Sequence, residues 1–260
     1  MSLIRNQPLL SLKKTAFAFQ KDALEIIKDS EYFAIFHEQG LGKTKIAIDL
    51  IFYWLQNNII ESVLIVSKKS LVNNWDRELD FHGNLLPIIL DNNKNENLYK
   101  FNSPGFIYVC NYELIRSNLE SFESFFNTRK MAIILDESTV IKTPSSKTTK
   151  ALHALSRISK RRIIMTGTPI SNRPYDIWSQ IYFLDHGKRL GKTFDLFKEK
   201  YDLSNDLHND FAGQLILKNK LKLLKLKLSD CSIRETKETA GLKLPGKEFI
   251  LKTVGMDTKQ

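Results

Sequence analysis

Short apolar runs alternate with amphipathic segments along the first 190 residues of the chain. Five runs, rich in β-branched and aromatic residues, have the length and composition of buried strands: residues 32–36, 62–67, 105–110, 131–137 and 162–168. Among them, apolar residues recur at helical spacing in residues 43–56, 70–81, 145–155 and 175–184. This alternation predicts an α/β fold, with a parallel sheet flanked by helices on both faces.

A glycine-rich loop follows the first predicted strand. In Gly40-Leu41-Gly42-Lys43-Thr44 the glycines let successive backbone N–H groups converge on phosphate oxygens, and the next helix adds the positive end of its dipole. We expect a nucleotide here, with Lys43 reaching its β- and γ-phosphates and Thr44 binding Mg²⁺. Lys45 completes the candidate nucleotide-binding residues of this loop. The fuller loop pattern, G-x-x-x-x-G-K-[ST], has a glycine at position 37, where this chain has His37.

Two carboxylates end the fourth apolar run, about ninety residues after the loop. A carboxylate at a strand end beside a phosphate loop is the expected partner of Mg²⁺, so Asp136 joins Thr44 as a metal residue. Glu137 can orient or deprotonate the attacking water. The candidate catalytic residues are therefore Lys43, Asp136 and Glu137.

Two further polar features belong to the same predicted crevice. Thr166, Gly167 and Thr168 form a tight turn directly after the last strand, and their side chains are expected to point toward the other strand ends. Gln20 precedes the first strand, and its amide has the paired donor and acceptor that can bind the edge of an adenine base.

The strand pattern fades after about residue 190, and helical patterns replace it. Leu217, Leu221, Leu224 and Leu228 would share one helix face, with lysines between them. These lysines fit either a DNA-facing stripe or an ordinary solvated face. The alternation in LKLKL also fits a strand.

Composition bounds the function classes. Lys and Arg number 39 against 29 Asp and Glu, a net charge of +10 that favours a polyanionic partner, although a merely basic protein remains an alternative. Cys110 and Cys231 are far apart without metal-like spacing and are expected to be free thiols in a reducing compartment. The sequence shows neither a secretory h-region nor a long uncharged apolar run, so we expect no secretory leader and no membrane span. We expect a cytoplasmic, bacterial or phage-encoded protein with no membrane partner.

The order of these motifs resembles superfamily 2 helicases, specifically the Swi/Snf-type DNA translocases. The segments that carry the resemblance are EQGLGKT, LIVSKKSLVNNWDREL, CNYELIRS, LDESTVIKTPSSKTTKAL and MTGTPISNRPYDIW, followed by SIRETKET and LPGKEFILKTVGM. The likeness extends through nearly the whole chain.

This resemblance implies a RecA-like ATP-binding lobe over residues 1–190, a mainly helical extension over 191–245, and over 246–260 the start of a connection to a second RecA-like lobe. ATP and Mg²⁺ are the implied cofactors, and double-stranded DNA is the implied partner. It gives Gln20, Lys43, Thr44, Asp136 and Glu137 the nucleotide roles, and Thr166 to Thr168 the coupling of nucleotide state to DNA. The implied DNA-lining residues, whose groups suit a phosphate backbone, are Lys69, Ser70, Asn111, Tyr112, Lys142 and Lys147.

The sequence departs from the family pattern at several positions. His37 replaces an Asp, Ser138-Thr139 replaces Ala-His, and Glu235 interrupts an Arg-Arg pair. We expect the His37 side chain at the end of the first strand, near the mouth of the cleft.

The sequence supports one leading function and two alternatives. The leading one is the N-terminal motor lobe of an ATP-dependent DNA translocase or helicase, which hydrolyses ATP slowly without the cation that a second lobe supplies. One alternative is the motor subunit of a restriction or phage-defence system. The other, motivated by Thr139, is a nucleic-acid-binding lobe whose ATPase has decayed.

Overall fold

The structure is a computed structural model that describes residues 10–170, 174–201 and 211–241. Within these residues, seven parallel strands form one sheet: β1 Tyr32–Ile35, β2 Ser62–Ser67, β3 Ile88–Ile89, β4 Ile107–Asn111, β5 Met131–Asp136, β6 Arg161–Met165 and β7 Ser232–Ile233. Their order is β3-β4-β2-β5-β6-β1-β7, so β5 lies at the centre.

Helices connect the strands: α1 Ala18–Ile27, α2 Lys43–Gln56, α3 Val72–His82, α4 Lys94–Asn102, α5 Tyr112–Ser117, α6 Leu119–Asn127, α7 Lys147–Ile158, α8 Ile177–Asp185, α9 Phe194–Tyr201 and α10 Phe211–Leu228. Short 3₁₀ turns lie at Lys69–Leu71, Ser138–Ile141 and Pro174–Asp176.

Alternate residues of the central strand pack into two separate apolar cores. Ile133 and Leu135 of β5 belong to the core on one face, while Ala132 and Ile134 belong to the core on the other. Because successive side chains of a strand point to opposite faces, a sheet covered on both sides needs apolar residues at every position. This requirement explains why the strands of the sequence are short continuous apolar runs rather than alternating ones.

The predicted α/β architecture is confirmed, and helix α2 has the predicted bounds. The last predicted strand ends at Met165, three residues early, because the chain bends at Gly167. Strands β3 and β7 were not predicted, since each has only two half-buried residues. The expectation that strands end near residue 190 was wrong at β7, which pairs with β1 at the edge of the sheet.

Helix α10 settles the ambiguity in LKLKL in favour of a helix. Leu217, Leu224 and Leu228 are buried in the core that contains Ile133 and Leu135, and Leu221 packs against it. The lysines between these leucines fit both a DNA-facing stripe and an ordinary solvated face, and both interpretations stay predictions. The domain boundaries at 190 and 245 stay predictions, and residues 246–260 lie outside the described part of the chain. No helix within the described residues combines the length and the apolar character needed to span a bilayer.

The packing of α10 can be tested with two neighbouring leucines. Leu224 is 2% exposed and Leu223 is 58% exposed. We expect Leu224→Ala to lower the free energy of unfolding by about 2–5 kcal/mol, because it leaves a cavity in the core. Leu223→Ala is the matched control and should change it by less than about 0.5 kcal/mol. Equal effects in urea denaturation would show that α10 does not pack as described.

Candidate nucleotide-binding site

The register of three neighbouring strands brings the sequence motifs together. Met165 of β6 pairs with Ile35 of β1 on one side and with Asp136 of β5 on the other. Because the strands are parallel and adjacent strands lie about 4.8 Å apart, the segments that follow these residues leave the sheet side by side. The glycine-rich loop, the Asp136-Glu137 pair and the Thr166–Thr168 turn therefore meet at one edge.

The backbone of the glycine-rich loop is built for close approach. Gly42 has φ +67° and stands directly before α2. A Cβ at this position would lie 2.3 Å from Nε2 of Gln20, and the backbone conformation is one that residues with a side chain rarely adopt. Leu41, which is 1% exposed, fixes the loop to the core. The backbone conformation therefore favours glycine at 42, where an added Cβ would also displace the end of the Gln20 side chain.

The ammonium group of Lys43 binds the backbone that leads into this loop. Its Nζ donates to the carbonyl oxygens of His37 at 3.0 Å and Glu38 at 3.4 Å. Burial lowers the pKa of Lys43, while the charges of Glu137 and Asp136 act in the opposite direction. The predicted catalytic lysine and the two predicted catalytic carboxylates therefore share one electrostatic environment.

Thr44 and Lys45 follow in the first turn of α2 but differ in placement. Thr44 is half-buried at the second position of the helix. Lys45 is 4% exposed and forms an ion pair with Asp49 one turn further along. Burial raises the pKa of Asp49, and its hydrogen bond with Lys45 opposes that rise. The Lys45 ammonium group therefore lies beside Asp49. It is not among the charged groups that act on Lys43.

Asp136 is held by two aromatic side chains that the sequence analysis did not connect with it. Trp75 Nε1 donates to Asp136 Oδ2 at 3.0 Å, and the Tyr112 hydroxyl donates to the Asp136 backbone oxygen at 2.8 Å. Burial raises the pKa of Asp136, whereas the bond from Trp75 stabilises the ionised form and lowers it. Trp75 belongs to the segment LIVSKKSLVNNWDREL, which carries the family resemblance. It is 61 residues away from Asp136 in sequence, so the motif does not predict this contact.

Glu137 and the threonine turn are joined directly. Glu137 is in the left-handed region at φ +54°, a conformation that costs a residue with a side chain about 1–3 kcal/mol. Its Oε2 accepts a hydrogen bond from Thr166 Oγ1 at 3.3 Å, and Thr168 N donates to the same hydroxyl at 3.2 Å. A Cβ on Gly167 would lie 3.2 Å from Gln39 N and 3.7 Å from Lys43 Nζ. Thr166 thus contacts both Glu137 and Thr168, and Gly167 leaves little room for a side chain beside Gln39.

Gln20 lies against the same loop with both ends of its amide bonded. Its Oε1 accepts from Phe17 N at 3.0 Å, and its Nε2 donates to Leu41 O at 3.3 Å. The side chain is 5% exposed. Binding of an adenine base by Gln20 stays a prediction.

His37 lies just after the end of β1, as expected, but the surroundings of its side chain differ from the expectation. Its side chain is fully buried rather than near the mouth of a cleft. Nδ1 accepts a hydrogen bond from Glu235 N at 3.2 Å, and burial lowers the pKa of the imidazole. The expectation failed because β7 and the residues after it, which cover His37, were not predicted.

A second buried connection joins the two loops and was also missed. Ser138 Oγ donates to Gln180 Oε1 at 2.7 Å, and Gln180 Nε2 donates to the backbone oxygens of Pro169 at 2.8 Å and Asp176 at 2.9 Å. Both Ser138 and Gln180 are fully buried. The available signal was a glutamine in the mainly apolar helix segment IWSQIYF. This bridge ties the carboxylate loop to the threonine turn.

The predicted DNA-lining residues divide into three groups. Lys69 and Ser70 are exposed in the 3₁₀ turn after β2, and Lys147 is exposed at the start of α7. Asn111 caps α5 by accepting from Leu114 N at 2.8 Å, and Lys142 forms an ion pair with Asp176 at 3.5 Å. Tyr112 is 2% exposed and supports Asp136, so it lies beneath the nucleotide residues rather than at the surface.

The Ser138–Gln180 bridge predicts a non-additive pair of mutations. Gln180→Leu leaves buried hydrogen-bonding groups without a partner and should lower the free energy of unfolding by about 1–3 kcal/mol. Ser138→Ala should then cost less in the Gln180→Leu background than in the parent, with a coupling of at least about 0.5 kcal/mol in urea denaturation. Ser103→Ala, at the opposite end of the sheet, is the control for additivity. Additive effects of Ser138→Ala and Gln180→Leu would contradict the bridge.

Comparison with known proteins agrees with this geometry. The chain is similar to the Sulfolobus solfataricus SWI2/SNF2 ATPase core in complex with dsDNA, with a TM-score of 0.71 and 24% identity, over 87% of this chain and 45% of that one. It is 28% identical to the DNA repair and recombination protein RAD54-like of Gallus gallus over 81% of this chain. It is 30% identical to the DNA excision repair protein ERCC-6-like of Danio rerio over 64% of this chain.

This chain spans 31% of the length of the RAD54-like protein and 12% of that of the ERCC-6-like protein. The model of the SNF2-related domain matches residues 29–260, which include every motif discussed above except Gln20. The chain therefore belongs to the SNF2-related domain family, as a Swi/Snf-type ATPase lobe with a RecA-like fold.

Proposed function

We propose that this chain is the N-terminal motor lobe of an ATP-dependent DNA translocase, and that it binds ATP with Mg²⁺ at the edge where β1, β6 and β5 end. The observation that carries the proposal is the convergence of Lys43, Asp136 and Glu137 there. Burial and mutual charge perturb both Lys43 and Asp136, as is common at functional sites.

The donor set fits the implied cofactors. Thr44 and Asp136 offer a hydroxyl and a carboxylate, the oxygen ligands that Mg²⁺ prefers, and Lys43 offers a cation beside them. Bound Mg²⁺ would neutralise charge on the phosphate oxygens. Gly40, Leu41 and Gly42 present the loop backbone to the phosphates, and Lys43 exchanges its carbonyl partners for phosphate oxygens.

Glu137 has the position of the residue that orients the attacking water. Its bond to Thr166 and the Ser138–Gln180 bridge give two connections through which the state of the nucleotide alters the threonine turn. Residues Thr166 to Thr168 thus couple the nucleotide to the DNA-binding surface. Glu137 is held in a restricted backbone conformation. A small movement of the bound phosphates therefore changes the hydrogen bond between Glu137 and Thr166.

Efficient hydrolysis needs a second RecA-like lobe. Phosphoryl transfer in related enzymes relies on an arginine that raises the rate by about 10³–10⁵, and here that cation would come from the second lobe. We therefore propose slow turnover by this chain alone. The partial coverage of its longer relatives is consistent with a lobe that works within a larger protein.

DNA is the proposed polymer, in its double-stranded form. The neighbour of known structure is described in complex with dsDNA. In this chain, Lys69 and Ser70 follow β2 and Lys147 begins α7, so exposed cations lie on the strand-end surface beside the nucleotide residues. Cations and hydroxyls bind phosphate backbones without reading sequence, as a translocase requires.

Stabilisation of the fold by nucleotide distinguishes an intact nucleotide site from a decayed ATPase. At a Mg–ATP concentration about 100-fold above its Kd, binding should add about 2.7 kcal/mol to the stability of the parent. Lys43→Ala should abolish this stabilisation in thermal denaturation, and Asp136→Asn should reduce its dependence on Mg²⁺. Lys21→Ala, at an exposed position of α1, is the control. No stabilisation of the parent with Mg²⁺ present would favour the decayed reading.

The DNA proposal is tested by salt dependence. Lys69→Ala should weaken binding of a duplex and reduce the slope of log K against log salt by about 0.9, because one phosphate contact is lost. Lys160→Ala is the control, since this exposed lysine precedes β6 at the opposite edge of the sheet. Identical slopes for Lys69→Ala and Lys160→Ala, measured by fluorescence anisotropy, would contradict the assigned surface.

A further inference from the structure

A segment from the far end of the chain runs along the phosphate loop. We call residues 233–237 the strap. Ile233 pairs with Ile35 in the sheet, and the pairing continues beyond the strands: Phe36 N donates to Ile233 O at 2.8 Å, and Glu38 N donates to Glu235 O at 2.9 Å. The strap therefore follows the backbone that leads into the loop.

Two side chains of the loop hold the strap in return. His37 Nδ1 accepts from Glu235 N at 3.2 Å, and Glu38 Oε2 accepts from Lys237 N at 2.9 Å. Together with the backbone bonds, successive loop residues from 36 to 38 each make a contact with the strap. Such a ladder fixes the position of every strap residue relative to the loop, because a slip by one residue would break all of these bonds.

The anchoring bond explains the unusual His37. An imidazole that accepts at Nδ1 must be neutral and carry its proton on Nε2. Complete burial favours the neutral form and lowers the pKa of His37. Within the described residues Nε2 has no hydrogen-bond partner, so the polar contacts of this side chain lie on its Nδ1 side, toward Ile233 and Glu235 of the strap. His37 is thus placed to hold the strap rather than to contact nucleotide.

The strap brings a lysine to the loop. Lys237 Cε lies 3.9 Å from the position that a Cβ on Gly40 would occupy, which places the end of its side chain beside the phosphate-binding backbone. Its backbone is fixed by Glu38, and its ammonium group forms no ion pair with any acidic residue in the described part of the chain. Lys43 and Lys237 therefore reach one loop from two ends of the sequence.

We propose that Lys237 is a second cation for the phosphates of the bound nucleotide, and that His37 and Glu38 are the residues that position it. The proposal rests on the function proposed above and adds a residue to that site. A charge-assisted hydrogen bond from an ammonium group to a phosphate oxygen is among the stronger polar contacts. Lys237 lies beside the loop only when β7 pairs with β1, so the position of this cation depends on the folded sheet.

Binding of Mg–ATP to the full 260-residue chain, measured by isothermal titration calorimetry, tests the role of Lys237. Lys237→Met keeps the aliphatic stem and removes the charge, and we expect it to weaken binding about tenfold. Lys237→Arg should restore affinity to within about threefold of the parent. Lys225→Met, on the exposed face of α10, is the matched control and should bind as the parent does. The urea midpoint of Lys237→Met should match that of the parent, which excludes unfolding as the cause.

A double-mutant cycle tests the positioning role of His37. His37→Asn retains an acceptor at the place of Nδ1 and should bind Mg–ATP nearly as the parent does, whereas His37→Leu should weaken binding about fivefold. In the Lys237→Met background, His37→Leu should have little further effect on affinity, because the group that it positions is already gone. A merely structural His37 would weaken binding equally in both backgrounds and would overturn its role.

The outcome for Lys237 is separate from that for the proposed function. If Lys43→Ala abolishes Mg–ATP binding and Lys237→Met leaves it unchanged, the second cation is wrong and the nucleotide site stands. If the parent chain binds no Mg–ATP, both the proposed function and this inference are overturned.

Discussion

The pairing of Met165 with both Ile35 and Asp136 is the constraint on which the rest of the structure depends. It aligns the carboxyl ends of β1, β6 and β5 at one level, so that loops about 130 residues apart in sequence leave the sheet as neighbours. The pairing of Ile35 with Ile233 extends the same level to β7. A shift of one strand by a single residue would move each of its side chains to the opposite core and disrupt the packing of both. The two apolar cores therefore fix the geometry of the site.

Electrostatics within this frame follow from partial burial. Lys43 and Asp136 are each removed from water, which disfavours both charges, and each charge is favoured by the other. Trp75, Tyr112 and the Thr166–Glu137 bond orient the carboxylate side of the site. The result is a set of opposite charges held apart by packing and hydrogen bonds, with their positions set before any ligand arrives. Such preorganisation is what phosphate binding and phosphoryl transfer require.

The sequence predicts the frame better than the contacts within it. Continuous apolar runs identify buried strands, and polar residues that follow them identify the functional edge, because parallel strands share one direction. This reasoning does not predict contacts between residues that are distant in sequence. Three examples are Trp75 with Asp136, Ser138 with Gln180, and His37 with Glu235. Two-residue strands such as β7 have no periodicity to detect, and the burial of His37 depends on β7. Lys45 and Tyr112 were assigned from their place in a motif, whereas burial directs both toward structural partners.

Hydrogen–deuterium exchange with and without Mg–ATP tests the central claim, that one nucleotide binds across three strand ends at once. We expect simultaneous added protection in residues 38–44, 137–140 and 166–168, with the opposite edge of the sheet, around residues 103–106 and 159–160, unchanged. Protection confined to residues 38–44, or located away from this edge, would contradict it.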